Sequence, residues 1–128
     1  MADVLIIDDD TAAAEALAKL LRREGHQAEC ACAAGDALSH LHQHEPDLVL
    51  LDLEMPRVGG LDLLDALRDE VRFADLRVAV FSGRDDPAAV EAADRLGACE
   101  FIQKGGDWTA TYARIKAALA AAADAPPA

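Results

Sequence analysis

Positive charge is scarce in this sequence relative to negative. Twelve Lys and Arg stand against 24 Asp and Glu, a formal net charge of −12 at pH 7. A surface that acidic repels phosphate backbones, which argues against direct nucleic-acid binding by this domain. Long apolar runs are also missing. None approaches the ~20 residues that a bilayer-spanning helix needs, so no membrane association is expected. There is no sign of a secretory leader: the chain enters an apolar stretch at Val4 and then meets Asp8, Asp9 and Asp10. That pattern predicts a cytoplasmic location. Cysteine is limited to Cys30, Cys32 and Cys99, and an odd number without a leader argues for reduced thiols. Cys30 and Cys32 fall in one predicted strand, whose alternation would send both to one face. No histidine pair at metal-ligand spacing accompanies them, so zinc and redox roles are set aside. The histidines His26, His40, His42 and His44 lack useful local partners and read as surface. The chain contains no internal repeat.

What is present is apolar residue in quantity: 52% of 128 residues, enough for one domain around one core. The chain organises itself around Leu48-Val49-Leu50-Leu51-Asp52-Leu53-Glu54-Met55-Pro56. Its apolar run reads as a strand buried on both faces, stopped by the carboxylate of Asp52. Pro56 and Gly59-Gly60 then turn the chain into a helix, and Met55 reads as a loop filler. Comparable strands are predicted at 4–7, 77–81 and 100–103. Another, at 27–31, alternates polar and apolar residues and suits a sheet edge.

Helices are predicted over 12–24, 35–44, 61–70, 87–96 and 108–123. Asp10 or Thr11 caps the first and Gly25 closes it. Pro87 opens the fourth, and Trp108, Tyr112, Ile115 and Leu119 form the inner face of the last. Strands alternating with helices make an α/β fold with a parallel sheet. The polar second and fifth strands belong at the edges, which favours the flavodoxin-like (βα)5 order 2-1-3-4-5. Residues 1–123 are expected to form this single domain. The Pro-containing stretch 124–128 is expected to be a disordered tail or the start of a linker.

Polar groups gather at the carboxyl ends of these strands. Asp8 and Asp9 end the first, Asp52 the third, Ser82 the fourth and Lys104 the fifth. Open α/β sheets bind ligands at that rim. Three carboxylates in one cleft need a counter-charge, and a hard divalent cation supplies it. Mg2+ favours one or two carboxylates with water and phosphate oxygens, an inventory that Asp9 and Asp52 match. Lys104 adds a fixed positive charge and Ser82 a hydroxyl donor. Together these groups make a site for a phosphoryl group, attacked in line by a carboxylate.

At this point the chain resembles a response-regulator receiver domain of two-component signalling, CheY-like, over essentially all of residues 3–123. The resemblance rests on Asp8-Asp9, Leu50-Leu51-Asp52-Leu53-Glu54-Met55-Pro56, Gly59-Gly60-Leu61, Ser82-Gly83 and Phe101-Ile102-Gln103-Lys104. It implies that Asp52 is the phospho-acceptor for a histidine kinase or phosphotransfer protein. It implies a Mg2+ (or Mn2+) ion held by Asp8, Asp9, Asp52 and the backbone carbonyl of Glu54, with Lys104 and Ser82 on the phosphoryl group. Ser82 and Phe101 would be the switch residues, altering the face made by helix four, strand five and helix five for a downstream protein partner. Such a domain is a monomer or weak dimer, and it assists only its own phosphorylation and dephosphorylation.

Several positions depart from the common pattern. Gly105 follows Lys104 where a cis proline is usual, so either a trans bond with a reshaped loop or a cis bond held by the site is expected. A cis bond before a non-proline residue costs ~2.5–4 kcal/mol. Phe101 replaces the frequent tyrosine. Glu54 and Arg84 occupy positions that tune phosphoryl lifetime in the family, and a pairing between them across the site mouth is anticipated. Two rivals stand beside this reading. A haloacid-dehalogenase-type phosphatase would also use an aspartyl phosphate with Mg2+, but needs an aspartate two residues after the nucleophile, where Glu54 stands. An interaction module of the same fold that is never phosphorylated would not need the complete site set.

Overall fold

The apolar runs of the sequence become the interior of one parallel sheet. The structure, a computed structural model, describes residues 1–84 and 86–124. The strands are β1 (Asp3–Ile7), β2 (Gln27–Ala31), β3 (Leu48–Leu51), β4 (Val78–Ser82) and β5 (Glu100–Gln103). They lie in the order β2-β1-β3-β4-β5, as the edge polarity of the second and fifth strands predicted. Between and after them run α1 (Thr11–Arg23), α2 (Ala34–Gln43), α3 (Gly60–Asp69), α4 (Pro87–Arg95) and α5 (Trp108–Ala123). The expected tail residues 125–128 lie outside the described residues, and Asp124 is the C-cap of α5.

Strand alternation divides the core into two layers. Leu5, Ile7, Val49, Leu51, Val78 and Val80 face α2, α3 and α4. Val4, Ile6, Leu48, Leu50, Ala79 and Ile102 face α1 and α5. Every residue of β3 is buried, because helices cover both its faces.

Register then fixes where the strands end. Ile7 pairs with Leu51, so Asp8 and Asp52 leave the sheet side by side. Ser82 pairs with Gln103, so Lys104 emerges beside them. Gly60 starts α3 close to this rim. A Cβ there would press on the carbonyl oxygen of Asp52 and come within 2.8 Å of the Leu53 Cα. Only glycine lets the helix start that near the strand end.

The opposite rim is held by Arg68. Its guanidinium donates to five backbone carbonyls: Leu96 at 2.7 Å, Phe73 at 3.0 Å, Ala74 at 3.2 Å, Leu76 at 2.8 Å and Gly97 at 3.2 Å. It ties α3 to the end of α4 and to the short 3-10 turn Val71–Phe73. Burial pulls the Arg68 pKa down, against the nearby Asp75 charge.

Several sequence readings need correction. Trp108 is 49% exposed and stacks on Tyr112 at 5.5 Å. The inner face of α5 is instead Thr111, Ile115, Leu119 and Ala122. Asp107 caps the helix, which puts Trp108 at its first position. Cys32 lies beyond the end of β2 and is exposed while Cys30 is half-buried, so the two do not share a strand face. Met55 lies in the loop between β3 and α3, and its side chain is buried against the core. The histidines do have partners, distant in sequence: His44 pairs with Asp3 and His42 with Glu70 at 3.4 Å, while His26 Nδ1 accepts from the Ala2 backbone N–H at 3.0 Å.

Candidate functional site

Asp8 and Asp52 are almost fully buried, at 4% and 5% exposure, while Asp9 faces solvent. One carboxylate oxygen from each of the three lies within 4.8 Å of the other two. The loops hold the two buried acids in matching ways. Asp8 Oδ1 accepts from the Asp10 backbone N–H at 2.9 Å, and Asp52 Oδ1 accepts from the Glu54 backbone N–H at 3.1 Å. Each keeps its second oxygen for Lys104, whose Nζ donates to Asp8 Oδ2 at 2.6 Å and to Asp52 Oδ2 at 3.3 Å. Lys104 is itself fixed. Its backbone N–H donates to Ser82 O at 2.8 Å, and its Nζ lies 5.4 Å from the centre of the Phe81 ring.

Electrostatics in the cleft are unbalanced. Burial pushes the Asp8 carboxyl up from its ordinary value, and the neighbouring Asp52 charge adds to this, against the hydrogen bond from Lys104. Burial acts to lower the Lys104 pKa. The hydrogen bond to Asp8 and the charges of Asp8 and Asp52 outweigh it, so the net shift is upward and the ammonium is retained. One ammonium thus faces three carboxylates. The donors are all hard oxygens, converging from two neighbouring strands. Their chemistry fits a magnesium-class ion rather than a thiophilic one.

The remaining predicted residues sit around this cluster. Ser82 is fully buried at the end of β4, and its Oγ accepts from the Arg84 backbone N–H at 3.2 Å. Phe101 is half-buried on β5, packed against the core layer under α4. Glu54 is exposed. Arg84 does not pair with it. The Arg84 Nε donates to Asp86 Oδ1 at 2.7 Å and Nη2 to Oδ2 at 3.4 Å. Asp86 also caps α4, so its carboxylate is already placed within local reach of the guanidinium. Lys104-Gly105 is trans, since no described peptide bond is cis. The loop after it turns through Gly105 at φ +87° and Gly106 at φ +74°, a left-handed pair that only glycine adopts freely.

Two contributors escaped the sequence. The backbone N–H of Asp10 orients Asp8, and Gly60 sets the approach of α3 to Asp52. The Gly59-Gly60 pair was visible as a turn, but close approach leaves no separate mark in one sequence.

The clustered acids and lysine lie at the carboxyl rim of a parallel sheet, where open α/β folds bind their ligands. Comparison with known proteins narrows this. The family description "response regulator receiver domain" matches residues 4–116. The transcriptional regulatory protein AfsQ1 of Streptomyces coelicolor is 31% identical over 93% of this chain and 52% of its own length. The sensory transduction protein RegX3 of Mycolicibacterium smegmatis is 33% identical over 97% of this chain and 53% of its own. The solved structure of a response regulator receiver protein from Pseudomonas putida superposes with a TM-score of 0.82. It is 31% identical and covers 90% of this chain and 95% of that one. The chain belongs to the response-regulator receiver family of two-component signalling. It spans about half the length of the two curated relatives. No described helix is long and apolar enough to cross a membrane.

Proposed function

We propose that residues 1–123 act as a cytoplasmic phosphorylation switch in which Asp52 accepts a phosphoryl group from the phosphohistidine of a histidine kinase or phosphotransfer protein. The observation that carries this reading is the convergence of Asp8, Asp9 and Asp52 within 4.8 Å, with Lys104 bridging the two buried acids. Asp8, Asp9, Asp52 and the backbone carbonyl of Glu54 would hold Mg2+, or Mn2+ in its place. When bound, that ion supplies charge neutralisation to the phosphoryl oxygens.

The chain's own groups do the rest. An Asp52 carboxylate oxygen forms a bond to phosphorus as the phosphorus–nitrogen bond breaks. The imidazole leaves with the electron pair and takes a proton from solvent. Hydrogen bonding to the Glu54 N–H orients Asp52 for the attack. Lys104 exchanges part of its contact with Asp52 for a phosphoryl oxygen and stabilises the charge developing there. Ser82 then donates its hydroxyl to a second phosphoryl oxygen, which draws in the loop that its Arg84 contact anchors. Phe101 follows inward, and a pre-existing equilibrium on the α4-β5-α5 face shifts toward the form that a downstream protein partner binds. Transfer and hydrolysis both occur on the domain's own aspartate, so it assists its own labelling and turns over no separate substrate.

Incubation with acetyl phosphate and Mg2+, read by intact mass, tests the assignment. The wild-type chain is expected to gain one phosphoryl group and Asp52→Asn none. Uptake by Asp52→Asn of one phosphoryl group per chain overturns the acceptor assignment.

A further inference from the structure

A groove of about 620 Å³ runs between α4 and β5. Its floor is apolar, with Val90, Ala98 and Phe101 among the lining residues. Val90 is 40% exposed, one of the few large apolar side chains on the described surface. The charged residues lining it are Glu91, Asp94 and Glu100, and no Lys or Arg lines it among the described residues. Glu100 is neutralised by Arg114. Glu91 and Asp94 have no ion pair among the described residues. The surface is therefore an exposed apolar strip beside two uncompensated carboxylates.

We infer that this groove takes a segment of a partner protein that presents an apolar side chain flanked by Lys or Arg. The inference rests on the switch reading above and gives the downstream partner its chemistry. Charge selects the occupant. A second copy of this chain would bring another −12 and set Glu91 and Asp94 against their own kind, a juxtaposition that costs free energy. A basic segment meets a complementary potential. Its apolar anchor covers Val90 and the half-buried Phe101 ring, whose position the switch controls. Apolar contact then supplies affinity, while the acids supply orientation and association rate.

The test uses the full chain and two fluorescent amphipathic peptides with the same leucine face, one with Lys and one with Glu on its polar face. Anisotropy is measured with and without beryllofluoride and Mg2+, and acetyl phosphate labelling of Asp52 is read in parallel. The Lys peptide is expected to bind, more tightly in the beryllofluoride form, and the Glu peptide not to bind. Paired Glu91→Lys and Asp94→Lys substitutions should weaken binding at least tenfold, about 1.4 kcal/mol. Val90→Ser should also weaken it, while Glu45→Lys, remote on the acidic surface, should change it less than twofold. Equal loss from Glu45→Lys means diffuse charge attraction and overturns the inference, as does equal binding of the Glu peptide. Dimerisation that Val90→Ser abolishes, seen by sedimentation, overturns it in favour of a second copy. Absent labelling of wild-type Asp52 with groove selectivity intact removes the switch reading alone.

Discussion

Two half-buried cations sit at opposite rims of one sheet, and their partners differ in kind. Arg68, at the amino-terminal rim of β4, is surrounded by five backbone carbonyls that belong to fixed turns and helix ends. Lys104, at the carboxyl-terminal rim, is surrounded by side-chain carboxylates that outnumber it. Carbonyl dipoles satisfy the guanidinium N–H groups, and the nearby Asp75 carboxylate offsets its charge, so the Arg68 rim calls for no further ion. Carboxylates leave a surplus, so the Lys104 rim favours a further cation. The same fold thus separates a stapled end from an end whose charges can be rearranged.

The strongest break in this contrast is Arg68→Ala. It removes all five hydrogen bonds and leaves carbonyls in a half-buried setting. The expected loss is about 2–4 kcal/mol of unfolding free energy, read from urea denaturation. The folded fraction should still label at Asp52 at the wild-type rate. A large labelling defect in folded Arg68→Ala would show that the two rims are not separable.

Gly60→Ala should behave differently, because its new methyl group presses on the Asp52 carbonyl. Overpacking there costs about 1–3 kcal/mol, offset in part by the better helix propensity of alanine. Labelling by acetyl phosphate should slow on the order of tenfold, since small displacements of a reacting group are expensive. Stability and chemistry move together only at this rim.

Asp8→Asn sharpens the contrast further. Burial raises the Asp8 pKa above its ordinary 3.8, so the folded state holds that proton more tightly than the unfolded chain does. Folding is therefore disfavoured by ionisation at pH values above 3.8. Removing the charge is expected to stabilise the metal-free protein at pH 7. It should also abolish the rise in melting temperature expected of the wild type on adding Mg2+. A metal-free Asp8→Asn less stable than wild type would mean that Lys104 already balances the cleft.

The two rims also differ in how far the sequence exposes them. The convergence at the carboxyl-terminal rim was legible because parallel strands end in register. A polar residue after each apolar run, at Asp8, Asp52, Ser82 and Lys104, lands on one edge once the strand order is known. The stapled rim was not legible. Arg68 binds carbonyls, which every residue carries, so no partner residue type advertises the contact. Arg84 was assigned to Glu54 by family position, whereas the nearer Asp86 takes it. Trp108 was assigned inward by helical spacing, but Thr111 takes the first inward position of α5 and Trp108 stacks on Tyr112 instead.

The smallest expected effect lies at the stapled rim, in the pair formed by His44 and Asp3, residues too far apart in sequence for spacing to connect. The hydrogen bond to Asp3, then the Asp3 charge, raises the His44 pKa above its ordinary 6.5, with Asp47 and Glu29 adding to it. His44 is exposed, so solvent screening keeps the stabilisation below ~1 kcal/mol. A histidine whose folded pKa is raised contributes fully below the unfolded value and loses that contribution as pH rises through the folded one. The stability gap between wild type and His44→Gln should therefore be widest at pH 6 and close toward pH 9 in denaturant titrations. Arg68→Ala should show no such pH dependence over that range, because a guanidinium does not titrate there. If the His44 gap is flat in pH, the pair carries no charge and the rim is held by neutral hydrogen bonds alone.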